Sequence, residues 1–329
     1  MKVILTKYQK ANIPVLISTL ASNLKDQVPF SSTTTSDSDR TDLLEILRDV
    51  STRSKIESFQ TKINRLVTIA KNNNNAFIYY QLGRIHETAS QYDKADHYYL
   101  KAKENDLLRF RAPEDINNII RTLAKQHRAI LVDYRNNLSK NSPNGLVGDN
   151  FMLEHLHPNL QGYFILADSF YQKLKSNGFF GSWKDAVPTS QAWKERPIIA
   201  AEEYAGFAKI IQLKSDYPYT DKPKKVVLPQ PTDWQQQIGL QYYGKKINWL
   251  DMLNQSYKGY LDRRNISMVL KTSEMIADAM PQNAKANFRA GKQQRQEGNI
   301  ITAKRFFERA LLEEPNNQLF INALSSTSK

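Results

Sequence analysis

The sequence predicts a mixed fold, α/β plus all-α: a partial doubly wound parallel sheet interrupted by a helical insertion, then a run of helical repeats. Three observations predict it. Two short apolar runs, residues 13–19 and 129–133, are continuous rather than alternating, as parallel strands covered on both faces require. Small and aromatic residues recur with the spacing of a 34-residue helical hairpin over residues 76–107 and again over 284–317. Beyond Ser176 the composition shifts to Trp, Gly and Pro, and from Trp234 onward it reads as helix.

In chain order, residues 7–12 read as the end of a helix and Ile13-Pro14-Val15-Leu16-Ile17-Ser18-Thr19 as a buried strand, with Pro14 tolerated only at its start. Ligands of open α/β sheets bind beyond the carboxyl ends of strands, which places Asn23 on the rim of a candidate active site or, equally, in a plain turn. Residues 31–39 form a polar Ser/Thr/Asp segment, and residues 41–104 read as helical, with 51–71 as the second helix of a degenerate repeat. Within 76–107, Tyr79, Leu82, Gly83, Ala95, Tyr99 and Ala102 fall at the positions where one helix of a hairpin must approach the other. Glu114 follows Pro113 at the start of a helix running to about His127. The run 129–133 is the second strand, with Asp133 at its end capping the following turn.

The chain then reaches Glu154-His155-Leu156-His157-Pro158-Asn159, just ahead of a helix from Gly162 to about Lys175. A carboxylate three residues before a histidine suits a pair in which the acid orients the imidazole and the imidazole acts as base. The same letters also suit a polar turn in which Asn159 caps the helix. A metal site on Glu154, His155 and His157 ranks last, because neighbouring positions diverge and no other histidine is placed to complete a shell.

Residues 154–162, E-H-L-H-P-N-L-Q-G, resemble the last conserved block of the SGNH (GDSL-type) hydrolases, of the form D-x-x-H-P. The resemblance implies that His157 is the catalytic base and that Glu154 is its acid partner, standing where the family usually has Asp. It leaves His155 without a counterpart, in a structural role. The stretch from Ser22 to Phe30 also resembles a loop of SGNH-like proteins that carry tetratricopeptide repeats, which goes with Asn23 as a rim residue; Asn159, within the 154–162 block, is the second rim candidate. The hairpin at 76–107, a copy at 284–317 with Ala290, Gly291, Ala303, Phe307, Ala310 and Pro315, and a weaker copy over 250–281 resemble tetratricopeptide repeats.

The expected organisation is therefore a partial SGNH-like α/β domain over residues 1–175 with a repeat-like insertion at about 41–107. A Pro- and Trp-containing connector with one helix follows over 176–233, and helical repeats over 234–329. The family's Gly-Asp-Ser block, which supplies the serine, and its Gly-x-Asn-Asp block, which supplies oxyanion donors, are not in this chain. The expectation is a part of an acyl-ester hydrolase that is inactive alone; a degenerate hydrolase working as a repeat scaffold is the alternative. Such repeats imply a protein or peptide partner, and the hydrolase reading implies an acyl-ester substrate once the missing half is supplied.

Composition narrows the remaining classes. There is no cysteine, which excludes disulfides and a thiol nucleophile, and nothing calls for a cofactor. The net charge of +13 is spread over the chain: residues 1–200 hold 27 basic and 20 acidic side chains and residues 201–329 hold 19 and 13. That spread predicts no nucleic-acid partner, and the densest basic run, Lys222-Pro223-Lys224-Lys225, lies in the connector. No apolar run has the length to cross a bilayer, no signal-peptide pattern is present, and the compartment is not read from the sequence.

Overall fold

The computed structural model describes residues 1–49, 53–184 and 186–327. In chain order the elements are α1 (Lys2–Lys10), β1 (Leu16–Ser18), α2 (Asp37–Asp49), α3 (Arg53–Ser58), α4 (Gln60–Asn73), α5 (Ala76–Thr88), α6 (Tyr92–Glu104), α7 (Glu114–Gln126), β2 (Ile130–Val132), α8 (Tyr134–Asn141) and α9 (Leu160–Ser176). They continue as α10 (Thr189–Glu195), α11 (Ala200–Leu213), α12 (Trp234–Tyr243), α13 (Trp249–Asp262), α14 (Ile266–Ala279), α15 (Ala284–Gln296), α16 (Ile300–Glu313) and α17 (Gln318–Ser325). The chain divides into two compact units, Met1–Thr189 and Ser190–Lys329.

The fold corrects the expected α/β class. The molecule is mostly helical, and among the described residues its only sheet is the parallel pair β1–β2, three residues in each strand. No doubly wound sheet is present among the described residues. The reason is visible in the first run: Pro14 has no N–H to donate, Ile13 is exposed, and only Leu16, Ile17 and Ser18 pair in register, with Ile130, Leu131 and Val132, while Val15 and Thr19 add one backbone hydrogen bond each at the ends. The six paired residues are partly buried apart from Val132, so apolar continuity here marks a short pair and not a sheet covered on both faces.

In the first unit the main core is helical. Leu43, Ile46, Ile63, Leu66, Ile78, Leu82, Ile85 and Tyr99 are buried together, and Leu24 and Leu146 join them from the loops. Each such side chain contributes about 1.5–3 kcal/mol by leaving water. The stretch expected as one helix over 51–71 begins outside the described residues, as does residue 50, and from Arg53 it is two helices, α3 and α4, that break at Phe59. Helices α5 and α6 form a hairpin whose seam is set by Gly83: a β-carbon there would lie 2.6 Å from the Tyr99 ring. A second, smaller core of Tyr134, Leu138, Val147, Phe151 and Met152 sits under α8 and α9.

The second unit is a series of helical hairpins, α13–α14 and α15–α16 closed by α17, which makes it repeat-like. Gly291 does in α15 what Gly83 does in α5, since a β-carbon would come 2.6 Å from the Phe307 ring. Asparagines start these helices: Asn248, Asn265, Asn283 and Asn317 each accept an N–H of the first turn on the side chain. Helix α11, within the 176–233 stretch, packs through Ile199 and Ala201 on Ile238 and Leu253.

Candidate functional site

Residues 151–159 form a tight loop pinched at its neck. Leu153 N–H donates to the His157 carbonyl at 2.8 Å, Asn159 N–H donates to the Phe151 carbonyl at 2.9 Å, and Met152 and Pro158 form an isolated antiparallel bridge. Helix α9 begins directly after it because Asn159 Oδ1 accepts the Gly162 N–H at 3.0 Å, so it starts at Leu160, two residues before the expected start at Gly162. Gly162 is required by close approach: a β-carbon would lie 2.3 Å from the Phe151 carbonyl oxygen. Tyr134, from α8, donates its hydroxyl to the Gly162 carbonyl at 3.1 Å, and burial pushes that phenol above its ordinary range.

Glu154 is at the tip of this loop, and its carboxylate is buried. Oε1 accepts the backbone N–H of His157 at 2.7 Å and also the Nδ1–H of the His157 ring. Oε2 accepts Nδ1–H from His155 and, at 3.4 Å, the Leu156 N–H. The one carboxylate therefore organises both imidazoles and the backbone between them. The imidazoles differ in surroundings. His155 is buried, its ring edge-on to Phe30 at 5.2 Å and tilted against Phe110 at 5.9 Å, whereas the His157 side chain is 52% exposed. With Nδ1 tied to the carboxylate, Nε2 of His157 is the basic nitrogen of the neutral ring, and no described residue bonds to it.

The four residues singled out in the sequence lie around one loop but do different things. Asn23 is buried; its Nδ2 donates to Asp149 Oδ1 at 2.7 Å, its Oδ1 accepts the Asp26 N–H at 3.0 Å, and its own N–H donates to the His155 carbonyl at 3.0 Å. Asn159, besides capping α9, donates Nδ2 to the Asn150 carbonyl at 2.9 Å. Both amides thus hold the loop in place through their own hydrogen bonds. Asp149, adjacent to both, carried no local sequence signal.

Sequence reasoning also missed the tie behind Asn23. Arg111 is buried and pairs with buried Asp106 at 3.1 Å, while its Nη1 donates to the carbonyls of Asn23 at 3.0 Å and Gln27 at 3.2 Å. Asp106 accepts the N–H groups of Phe30 and Ser31 as well. The α5–α6 hairpin grips the same loop: Tyr80 donates its hydroxyl to the Lys25 carbonyl at 2.8 Å, and Lys25 pairs with Glu87 at 3.2 Å. Burial of Tyr80 raises its phenol to about 12, so it is a donor at every physiological pH. Asp106 to Arg111 spans five residues, and Lys25 to Glu87 spans 62, so only the second is beyond any local pattern.

The carboxyl ends of β1 and β2 carry a second polar cluster. Thr19 donates its hydroxyl to Asp133 at 2.9 Å, and Glu114 takes Arg135 at 3.2 Å, Arg121 at 3.4 Å and Lys103 at 3.6 Å. Burial lowers Lys103 and raises Asp96 beside it, the carboxylates of Glu104 and Glu114 opposing the shift of the lysine. The space enclosed with Leu20, Ser22 and Ser139 is about 10 Å³, room for one water and no substrate.

Among the described residues no group of three or more His, Cys, Asp or Glu side chains could hold a metal ion, and no helix is long and apolar enough to cross a membrane. No protein-family model matches the chain. No curated protein matches it either.

Proposed function

We propose that Glu154 and His157 are the acid–base pair of an acyl-ester hydrolase of the SGNH type, and that this chain is the later part of that enzyme. The observation that supports the reading is the arrangement of the pair: a buried carboxylate sits on Nδ1 of a ring whose side chain is 52% exposed, an arrangement that favours the Nδ1–H tautomer. In such a site Nε2 takes the proton of a serine hydroxyl as its oxygen attacks the ester carbonyl, and then returns it to the leaving alcohol. The carboxylate stabilises the imidazolium in between. The serine and the oxyanion donors come from a further polypeptide segment.

The test is hydrolysis of an aryl acetate. The chain alone is expected to turn over no faster than buffer. A polypeptide that adds a segment with a Gly-Asp-Ser block is expected to turn over, with His157→Ala abolishing the rate and Glu154→Gln lowering it about 10⁴-fold. Turnover that survives His157→Ala would overturn the reading.

A second reading, a tetratricopeptide-type scaffold for a protein or peptide, draws support from the shared seam of the two hairpins at Gly83 and Gly291. Its signature is a partner whose binding to the whole chain is unchanged by His157→Ala.

A further inference from the structure

The second unit carries a lysine surface that the hydrolase reading does not use. The C-terminal ends of α11 and α12 come together: Tyr243 donates its hydroxyl to Gln212 Oε1 at 3.1 Å, and Lys209 Nζ lies 5.9 Å from the centre of the Tyr242 ring. The following segment folds back onto this end. Lys224 N–H donates to the Ser215 carbonyl at 2.8 Å, Thr220 donates its hydroxyl to the Lys222 carbonyl at 2.7 Å, and Lys214 Nζ lies 6.0 Å from the centre of the Tyr219 ring. On the α12 side, Lys245 and Lys246 close the helix through their backbone N–H groups on Tyr242 and Gln241. These contacts gather Lys209, Lys214, Lys222, Lys224, Lys225, Lys245 and Lys246, all exposed, at one end of the α11–α12 pair.

Among the described residues none of these seven lysines forms an ion pair, in contrast to Lys25, Lys62 and Lys103 of the first unit. Two acidic side chains, Asp216 and Asp221, lie in the same segment, and Asp216 is turned to its neighbour's backbone, accepting the Tyr217 N–H at 2.7 Å. Two helix C-termini attract cations, but they amount to about one negative charge together, fewer than the lysines gathered there. Exposed Leu213, Tyr217 and Val227 flank the lysines.

We propose that this surface docks on an anionic lipid bilayer. The residue choice favours that partner over a nucleic acid. Between residues 205 and 247 every basic side chain is lysine and none is arginine, which gives point charges rather than the planar forks that read phosphates and bases. A single strand would need a row of free aromatic faces, but Tyr219 and Tyr242 have lysines near their faces and Tyr243 is tethered to Gln212, which leaves Tyr217. A cluster of four to eight lysines beside a few exposed apolar and aromatic groups matches the charge and the interfacial chemistry of a bilayer surface rich in anionic headgroups.

The test is co-sedimentation of the full chain with vesicles of phosphatidylcholine containing 30% phosphatidylserine, at low and at 0.5 M salt. Binding is expected to the anionic vesicles at low salt, to be lost at high salt, and to weaken more than tenfold in the K222E/K224E/K225E variant. A K258E/K285E/K292E variant has the same charge change elsewhere in this unit and is expected to bind like the parent. Circular dichroism of both variants separates lost binding from lost folding, and a variant that unfolds is replaced by K222Q/K224Q/K225Q, with a smaller loss expected. Equal binding to pure phosphatidylcholine, equal losses in the two triple variants, or tighter binding to an oligothymidylate than to the anionic vesicles would overturn the proposal.

Discussion

The hairpins α5–α6 and α15–α16 are built on one skeleton and put to different uses. Position for position, 208 residues apart, Asn75 matches Asn283 as the cap, Gly83 matches Gly291 at the close approach, Ala95 matches Ala303, and Tyr99 matches Phe307. Even the closing side-chain contact recurs, from His86 to Gln91 in one at 2.8 Å and between Gln294 and Asn299 in the other at 2.7 Å. The difference lies in polar additions. Where the second hairpin has Phe288, Phe307 and Arg295, the first has Tyr80, Tyr99 and Glu87, and these three hold the loop around Asn23 that backs the Glu154–His157 turn. An apolar seam makes the hairpin; hydroxyls and a carboxylate added to that seam make it a support for a site.

The seam should break equally in both. Gly83→Val and Gly291→Val force side chains into rings already 2.6 Å from the added β-carbon, and each is expected to cost about 3 kcal/mol by overpacking. Hydrogen exchange read separately in each hairpin checks this, because two units need not unfold together. A large loss in one hairpin and none in the other would separate the two skeletons.

The caps should break unequally. Asn283→Ala removes a cap worth about 1 kcal/mol. Asn75→Ala removes the same cap and also the donor that serves the Thr33 and Thr34 carbonyls, so about 2–3 kcal/mol is expected. Exchange at the amides of 31–35 should rise only in the second case.

Swapping the aromatic residues sharpens the contrast further. Tyr99→Phe gives up a 2.5 Å hydrogen bond to Glu87 Oε2 and is expected to cost about 1.5 kcal/mol. The reverse change, Phe307→Tyr, brings no such gain, because Arg295 stands at the place of Glu87: no carboxylate accepts the new hydroxyl's proton, and the guanidinium is already bonded to Ser326. Thermal melts of the two variants should move in the same direction, downward.

The smallest expected effect is one of pH. Burial keeps the His86 imidazole below its ordinary value, Gln91 opposing and Lys94 reinforcing the shift. The ring stacks on Tyr98 at 5.1 Å and is bonded at Nδ1 to the Gln91 side chain, while Nε2 is buried and has no hydrogen-bond partner among the described residues. A folded value below the unfolded one of about 6.5 means that the unfolded chain binds the proton more readily. The stability that His86 contributes is complete above about pH 6.5 and declines as pH falls toward the folded value. His86→Gln, which copies the second hairpin, should flatten that decline in urea melts at pH 5–7.

How far this was legible in the sequence follows the range of the interactions. Helix hairpins announce themselves through small residues at fixed spacing, and Gly83 and Gly291 are where the rings of Tyr99 and Phe307 need room. The Glu154–His157 pair is local as well, three residues apart with a proline and a capping asparagine after it. The sheet misled because a continuous apolar run looks the same whether three residues pair or seven, and Pro14 and the exposure of Ile13 limit it to three. Arg111, Asp149 and Lys25 stayed hidden since their partners, Asn23 and Glu87, are brought to them by the chain's return.

The catalytic reading requires that Glu154 hold His157 with its proton on Nδ1 and its Nε2 open. Long-range ¹⁵N–¹H correlation spectra of the histidine rings test it directly, with His157 assigned by the loss of its signals in His157→Ala. Protonation of Nδ1 in the neutral ring, shifting toward the Nε2–H form in Glu154→Gln, is expected. An Nε2–H tautomer with Glu154 intact would contradict it.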